Sequence, residues 1–335
     1  MRGLQIVDGY TSALTLRETQ KAIKLVKDTF ANELAAALNL ERVSAPFIVR
    51  KGSGINDDLN GVERKVEFDT KEIEGTAEIV QSLAKWKRTA LKAYGYGVDE
   101  GLYTNMNAIR RDDDCDNVHS IFVDQWDWER VISKKERNIE FLKDIVKKIV
   151  GAIDNTQKIA HKAFPQLKNE LATDVFFITT QELEDMYPDK TPKEREDIIA
   201  QEKGVVFVMQ IGDLLKSGIK HDGRAPDYDD WKLNGDLLFW NETLRHAFEV
   251  SSMGIRVDSE SLAYQLKAAN AEDRMKYDYH KGIADGTLPL TIGGGIGQSR
   301  LSMLILEKAH IGEVQVSLWP DKMVEDCKNN GINLL

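Results

Sequence analysis

Residues 101–130 read GLYTNMNAIRRDDDCDNVHSIFVDQWDWER, and their patterning decides the fold. Residues 101–110 and 119–129 are strand candidates, and the loop RDDDCDNV (111–118) between them is too short for a crossover helix. The two strands therefore pair back to back. Further along, strands again come in consecutive pairs, at LLFW (237–240) and around HAFEVSS (246–252), without a helix between each. Elsewhere the strand candidates lie near Val66 and Ile79, in DVFFITT (174–180), in VVFVMQIG (205–212) and, last, in EVQVSLW (313–319). Such an order favours a largely antiparallel sheet flanked by helices, the α+β class, rather than a wound parallel sheet.

Helix signals surround this core. Thr15 with Glu18 forms a capping box, and Ile23, Val26, Phe30, Leu34 and Leu38 recur at helical spacing, which predicts a helix over 16–39. Another helix is expected from Ser82 to Ala93. Ser133 with Glu136 predicts the start of a long helix ending near Pro165. Thr191-Pro192 with Glu194 opens a further one that Gly204 closes, and helices occupy roughly 258–282. TIGGGIGQSRLSMLILE (291–307) reads as an extended segment, a glycine turn and a helix.

Composition narrows the function classes. The 335 residues carry 45 Lys+Arg against 55 Asp+Glu, a net charge of −10, with 42% apolar residues. A chain of this length buries about three quarters of its unfolded surface. The acidic balance argues against a nucleic-acid binder, and no apolar run is long enough for a membrane span. With no signal-peptide pattern, a cytoplasmic location is expected. One domain over 1–335 is expected, since no linker or repeat divides the chain. Cys115 and Cys327 form no CxxC pair and read as free thiols; Cys115 and His119 alone make no zinc site.

The strand at 119–130 also points to chemistry. Alternation puts Phe122, Asp124, Trp126 and Trp128 on one face and Gln125, Asp127 and Glu129 on the other. The polar row lines a cleft, or else faces solvent opposite a buried tryptophan face. The glycines 293–295 and 297, with Arg300 one turn into the next helix, suit a nucleotide at a helix N-terminus. No Gly-Lys-Ser/Thr follows, so this is no P-loop. HDGRAPDYDDW (221–231) is dense in carboxylates that could bind Mg²⁺, an ammonium group or water. Glu249 and Ser251 alternate with Phe248 and Val250 as on a half-buried strand. KWKR (85–88) reads as a solvated cationic helix face from which one charge need enter a site.

Taken together, SLAKWKR (82–88), GLYTNMNAIR (101–110), HSIFVDQWDWERV (119–131), RAPDYDDW (224–231), FEVSSMGIRVD (248–258) and TIGGGIGQSRL (291–301) resemble the ammonia-dependent asparagine synthetases, or aspartate–ammonia ligases. That family is similar to the catalytic domain of class II aminoacyl-tRNA synthetases. The resemblance implies an antiparallel core, a homodimer, ATP with Mg²⁺, and a two-step reaction through β-aspartyl-adenylate. It implies Asp57, Arg110 and Gln125 as catalytic groups, and Lys87, Asp127, Asp229, Ser252 and Arg256 as aspartate ligands. Arg110, Asp113, Asp236, Glu249, Ser251, Gly293, Gly294, Gly295 and Arg300 are implied for ATP, with Asp236 and Glu249 holding the metal.

Three places depart from the family pattern: the acidic loop RRDDDCDNV, the pair Asp57-Asp58 in INDDLNG (55–61) where one aspartate is usual, and a short WKLNG (231–235). Rival readings fare worse. A tRNA synthetase needs an anticodon module, and the helix at 16–39 leaves little room before it. A silent paralogue would have lost Arg110, Gln125 or Arg300. Glutamine-dependent synthesis needs an N-terminal cysteine, whereas the chain begins Met1-Arg2-Gly3, so free ammonia and no nucleic acid partner are expected.

Overall fold

A computed structural model describes residues 3–59 and 63–335. Helix α1 spans Leu16–Leu38, with Thr15 and Glu18 closing their capping box and Asn39 ending the helix in a left-handed conformation. Its buried stripe of Ala22, Val26, Phe30, Leu34 and Leu38 packs on the sheet. Strand β1 (Leu40–Arg42) follows, then a small sheet of β2 (Ile48–Arg50), β3 (Glu67–Phe68) and β4 (Ala77–Ile79). Helix α2 is Ala84–Tyr94, and the decisive pair becomes β5 (Gly101–Ile109) and β6 (Phe122–Val131). Helix α3 is Ile139–Ala163, β7 Phe176–Thr179, α4 Thr180–Met186, α5 Pro192–Lys203 and β8 Val205–Met209. Then come β9 (Asp229–Asn241), β10 (His246–Arg256), α6 (Ser259–Ala268), α7 (Asp278–Ala284), β11 (Thr291–Gly297), α8 (Gln298–Ile305) and α9 (Asp321–Asn329).

The large sheet has the order β1-β5-β6-β11-β10-β9-β8-β7. Only its outer pairs, β1 with β5 and β7 with β8, run parallel; the five pairs between are antiparallel. This is the α+β arrangement the sequence predicts. Trp126 and Trp128 are buried beneath α1 and α3, with the Trp126 ring 4.6 Å from Phe30. All five residues of β8 are buried, as a strand covered on both faces requires.

Several expectations need correction. The Ser133–Glu136 box caps one 3₁₀ turn, and the long helix starts at Ile139 under the Asn138 side chain. Glycines 293–295 form no turn. They lie inside β11, and none takes a positive φ. EVQVSLW is not a strand: Ile311–Glu313 is a 3₁₀ turn and Val316 to Trp319 have no ladder partner. WKLNG, read as a connection, is strand: β9 runs straight through it. Helices α4 and α9 escape the sequence reading, although Thr179 with Glu182 carries the same capping signature as α1.

Candidate active site

One face of the sheet centre is open. A cavity of about 690 Å³, within the range of small-molecule sites, is lined from β6, β9, β10, β11, α2, α8 and the loops around them. Alternation on β6 holds: Gln125 and Asp127 line the cavity, and Glu129 continues their row beneath it. Asp124 lines its edge, where its carboxylate takes Lys27 Nζ at 2.8 Å and Ser299 Oγ at 2.8 Å.

The floor is an interlocked set of buried charges. Arg256 Nε lies 3.1 Å from both Glu129 carboxylate oxygens, its Nη2 2.8 Å from Oε2, and its Nη1 bonds Asp229. Lys87 Nζ pairs with Asp127, donates to the Gly294 carbonyl at 3.1 Å and lies 3.8 Å from Glu129. Thr291 Oγ1 donates to Glu129 at 2.6 Å. Burial pulls the Lys87 ammonium below its ordinary pKa and pushes the Asp229 carboxyl up. Burial would raise Glu129 too, but Arg256 and Lys87 outweigh it and hold the carboxyl low.

KWKR is therefore no solvated face: Lys85, Lys87 and Arg88 are all at most 2% exposed. Arg88 caps the carbonyls of Pro289 and Val257 at 2.8 Å each. Lys85 reaches Asp227 at 3.1 Å, and Asp227 also takes Arg274 at 2.8 Å and His280 at 3.0 Å. The acidic run 227–230 is likewise inside, with Asp230 bound to Arg137. The chain pairs acids and bases that lie far apart in sequence, so local composition could not reveal their burial.

The glycines of β11 are explained by space. A Cβ at Gly293 would sit 2.0 Å from Glu129 Oε2, one at Gly294 2.5 Å from Met253 Cβ, and one at Gly295 2.4 Å from Gln125 Oε1. Close approach, not turn geometry, excludes side chains there.

Loops complete the cavity. Arg110, at the end of β5, lines it with a buried Nε that bonds nothing among the described residues. Asp57 lines it at 1% exposure, with Oδ1 accepting from Leu59 N at 3.1 Å and Oδ2 buried without a donor among the described residues. Burial pushes its carboxyl above the ordinary range, against the opposing charges of Lys85 and Arg110. Asp58 differs: burial acts upward, but Lys65 at 2.6 Å outweighs it and keeps the carboxyl low. Residues 60 and 61 of this loop lie outside the described residues. Asp113 stands at the rim, half-buried, its carboxyl raised by burial.

At the other end, Arg300 and Glu249 line the cavity, with Arg300 Nη1 3.1 Å from the Glu249 carbonyl. Ser252 and Arg256 line it from the same strand, but Ser251 does not. A register shift between Glu249 and Ser251 breaks the expected alternation, leaving the Ser251 Oγ buried and without a partner among the described residues. Asp236 and Gly293 also lie behind the lining. Asp236 bonds Arg224, and burial followed by the neighbouring Glu249 charge raises its carboxyl. Two carboxylates this close on adjacent strands, next to an unpartnered hydroxyl, are a donor set suited to a divalent cation that takes its other ligands from phosphate and water. Among the described residues no cluster of three or more acidic, His or Cys side chains could hold a metal alone.

Tyr228 and His119 are among the lining residues that the sequence did not point to. Tyr228 is hidden between the aspartates of DYDDW, with Arg256 5.7 Å from its ring centre. His119, its Nδ1 2.9 Å from Asp116, was noticed only for its spacing from Cys115.

Comparison with known proteins agrees with this geometry. Residues 17–331 match the aspartate–ammonia ligase family. The chain is 61% identical over 327 residues to an aspartate–ammonia ligase of Clostridium tetani, covering 97% of this chain and 96% of that one. It is 59% identical to one of Ruminiclostridium cellulolyticum over the full length of both. Among solved structures it is similar to asparaginyl-tRNA synthetases in complex with asparaginyl-adenylate. That of Entamoeba histolytica has a TM-score of 0.66 at 15% identity, with 90% of this chain and 66% of that chain covered. That of Pyrococcus horikoshii has a TM-score of 0.64 at 16% identity, with 90% and 70% covered. The chain spans about two thirds of the length of those synthetases, and at such identity the likeness concerns the fold: a class II synthetase catalytic core. With a match over nearly its whole length and relatives this similar, the chain belongs to the aspartate–ammonia ligase family.

Proposed function

We propose that the cavity joins ammonia to the side-chain carboxyl group of L-aspartate at the expense of ATP, giving L-asparagine, AMP and pyrophosphate. One observation carries the reading. Two cations, Lys87 and Arg256, and two carboxylates, Asp127 and Asp229, share a single cavity with Arg110, Gln125 and Asp57. Aspartate brings two carboxylates and one ammonium. It can exchange with the floor's own ion pairs, its ammonium going to Asp127 and Asp229 and its carboxylates to Lys87 and Arg256. Ser252 adds a hydroxyl.

The nucleotide lies toward Arg300 and the bare backbone of Gly293, Gly294 and Gly295, with Asp113 at its rim. Its phosphates run toward Glu249, Asp236 and Ser251. Asp236 and Glu249 would hold Mg²⁺, which would supply charge neutralisation for the triphosphate. In the first step an oxygen of the aspartate side chain attacks the α-phosphorus, and the bond to pyrophosphate breaks. Arg110 stabilises the charge gathering on the α-phosphate, a fixed cation needing no reorganisation. In the second, Asp57 takes a proton from ammonium, because only neutral ammonia has a lone pair. The nitrogen attacks the acyl carbon, Gln125 donates an N–H to the acyl oxygen, and AMP departs. The excess proton on the new amide nitrogen leaves to the departing phosphate or solvent.

The whole chain acts as one catalytic domain, as a homodimer in the cytoplasm, on small molecules alone. Among the described residues no helix is long and apolar enough to cross a membrane. Incubating the purified protein with ATP, Mg²⁺ and aspartate, and adding ammonium chloride or glutamine in parallel, tests the reading. Asparagine and AMP should form with ammonium and not with glutamine. ADP in place of AMP would overturn the adenylate and the roles of Arg110 and Gln125; ATP binding without turnover would make the chain a binder only.

A further inference from the structure

Asp57 lies in a loop between β2, which ends at Arg50, and β3, which begins at Glu67, with no helix or strand among the described residues to hold it. A side chain that must meet one small nucleophile needs a fixed backbone all the same. The loop is held from outside at Gly54, Asn56 and Asp58. The backbone at Gly54 lies so close to the Tyr277 ring that a Cβ there would come within 2.4 Å of its Cγ. The Asn56 carbonyl accepts from Lys85 Nζ at 3.3 Å, and the Asn56 side chain donates to Glu78 on β4 at 2.9 Å. Asp58 Oδ2 lies 3.5 Å from Arg274 Nη2, while its Oδ1 takes Lys65 at 2.6 Å. Asp57 stands between two held residues and lines the cavity.

The cations at residues 56 and 58 lead to one carboxylate. Lys85 Nζ lies 3.1 Å from Asp227 Oδ2, Arg274 Nη1 2.8 Å from it and His280 Nε2 3.0 Å from it. Asp227 is wholly buried and does not line the cavity, in contrast to Asp229 two residues on. Burial works to raise its carboxyl, but Lys85, the His280 bond and Arg274 outweigh it and hold the group well below the ordinary range. It is therefore a lasting negative charge to which both cations are fastened. Tyr277 follows directly on the 3₁₀ turn Glu272–Lys276 that carries Arg274, so the hold on Gly54 comes from the same segment.

We infer that Asp227, Lys85 and Arg274 form a clasp that positions Asp57: from one buried carboxylate, two cations fix the residues on either side of it. The clasp serves the ammonia half-reaction and not the binding of aspartate, which is the work of Asp229. This rests on the function proposed above and adds to it the device that aims its base. Arg274 is the joint between loop and hub. Its fork puts one nitrogen on Asp227 and the other toward Asp58, which a single ammonium nitrogen does not reproduce.

Arg274→Gln opens the clasp and spares the fold, because Asp227 keeps Lys85 and His280. Aspartate-dependent pyrophosphate–ATP exchange should keep its rate and its aspartate KM, while kcat for asparagine falls by about ten- to a hundredfold, the cost of a misplaced reacting group. Deuterium uptake by backbone amides of residues 51–59 should quicken. Arg274→Lys, which keeps the charge without the fork, should restore little of either loss. Unchanged asparagine formation, unchanged deuterium uptake, pyrophosphate–ATP exchange that falls in step with asparagine formation, or full rescue by Arg274→Lys would each overturn the clasp. Failure of the proposed reaction itself would show differently, as wild-type protein that makes no asparagine from ammonium.

Discussion

The two sides of the cavity are built on opposite plans. On the floor, Glu129, Arg256, Asp229 and Asp127 are placed by the register of one sheet, and Lys87 reaches them from α2. At the rim, the loop 110–118 is tied to residue 64 near the surface. Arg64 bonds Asp112 there, with side-chain exposures of 68% and 25%. The contrast teaches where precision is needed. Under the proposed function, recognition of a zwitterion with an extra carboxylate rests on buried charge already in place, while access is left to the loops.

Breaking the floor should cost most. Arg256→Met leaves Glu129 and Asp229 buried without their cation, a change worth about 3–5 kcal/mol. Urea unfolding of the ligand-free protein should show that loss; a smaller one, near the value for an exposed pair, would mean the floor is wetter than its burial implies. Where floor meets rim, Arg110→Ala should slow pyrophosphate–ATP exchange by about 10²–10³-fold or more, the usual effect of deleting a fixed stabilising donor. Fold and melting temperature should hardly change, because no described group bonds its buried Nε.

Next in size is Gly294→Ala. The new Cβ meets Met253 Cβ at 2.5 Å and the Ser252 carbonyl at 2.8 Å, so β10 and β11 must move apart. The expected loss of stability is about 1–3 kcal/mol by chemical unfolding. Smallest is Arg64→Ala at the rim, at about 0.2–1 kcal/mol and less in high salt. A larger loss there would erase the distinction between the two sides.

What the sequence revealed follows the same division between local and distant causes. Helix α1 was legible because Thr15, Glu18 and the stripe from Val26 to Leu38 are one local pattern. The faces of β6 were legible because alternation is local too. EVQVSLW alternates just as well but finds no strand to pair with, and pairing cannot be read from seven residues. The burial of Lys85 and Lys87 depends on Asp227 and Asp127, far along the chain. The glycines of β11 exist because of Glu129, Met253 and Gln125 on neighbouring strands. Ser251 and Ser252 exchanged faces through a bulge that nothing in SSMG announces. Only the α4 cap was visible and unused.

Acidity separates the two half-reactions. Burial raises the Asp57 carboxyl, so as pH falls it protonates at higher pH than a free aspartate, which titrates near about 3.9. Asparagine formation at saturating ammonium should therefore fall off before pyrophosphate–ATP exchange does. A shared profile would remove Asp57 from the second step.

The most direct test of the division between adenylation and ammonia transfer is Asp57→Asn, assayed for both in one preparation. Aspartate-dependent exchange should persist near the wild-type rate while asparagine formation drops by about 10²–10⁴-fold, the span of a lost general base. Equal loss of both activities in a folded protein would contradict it.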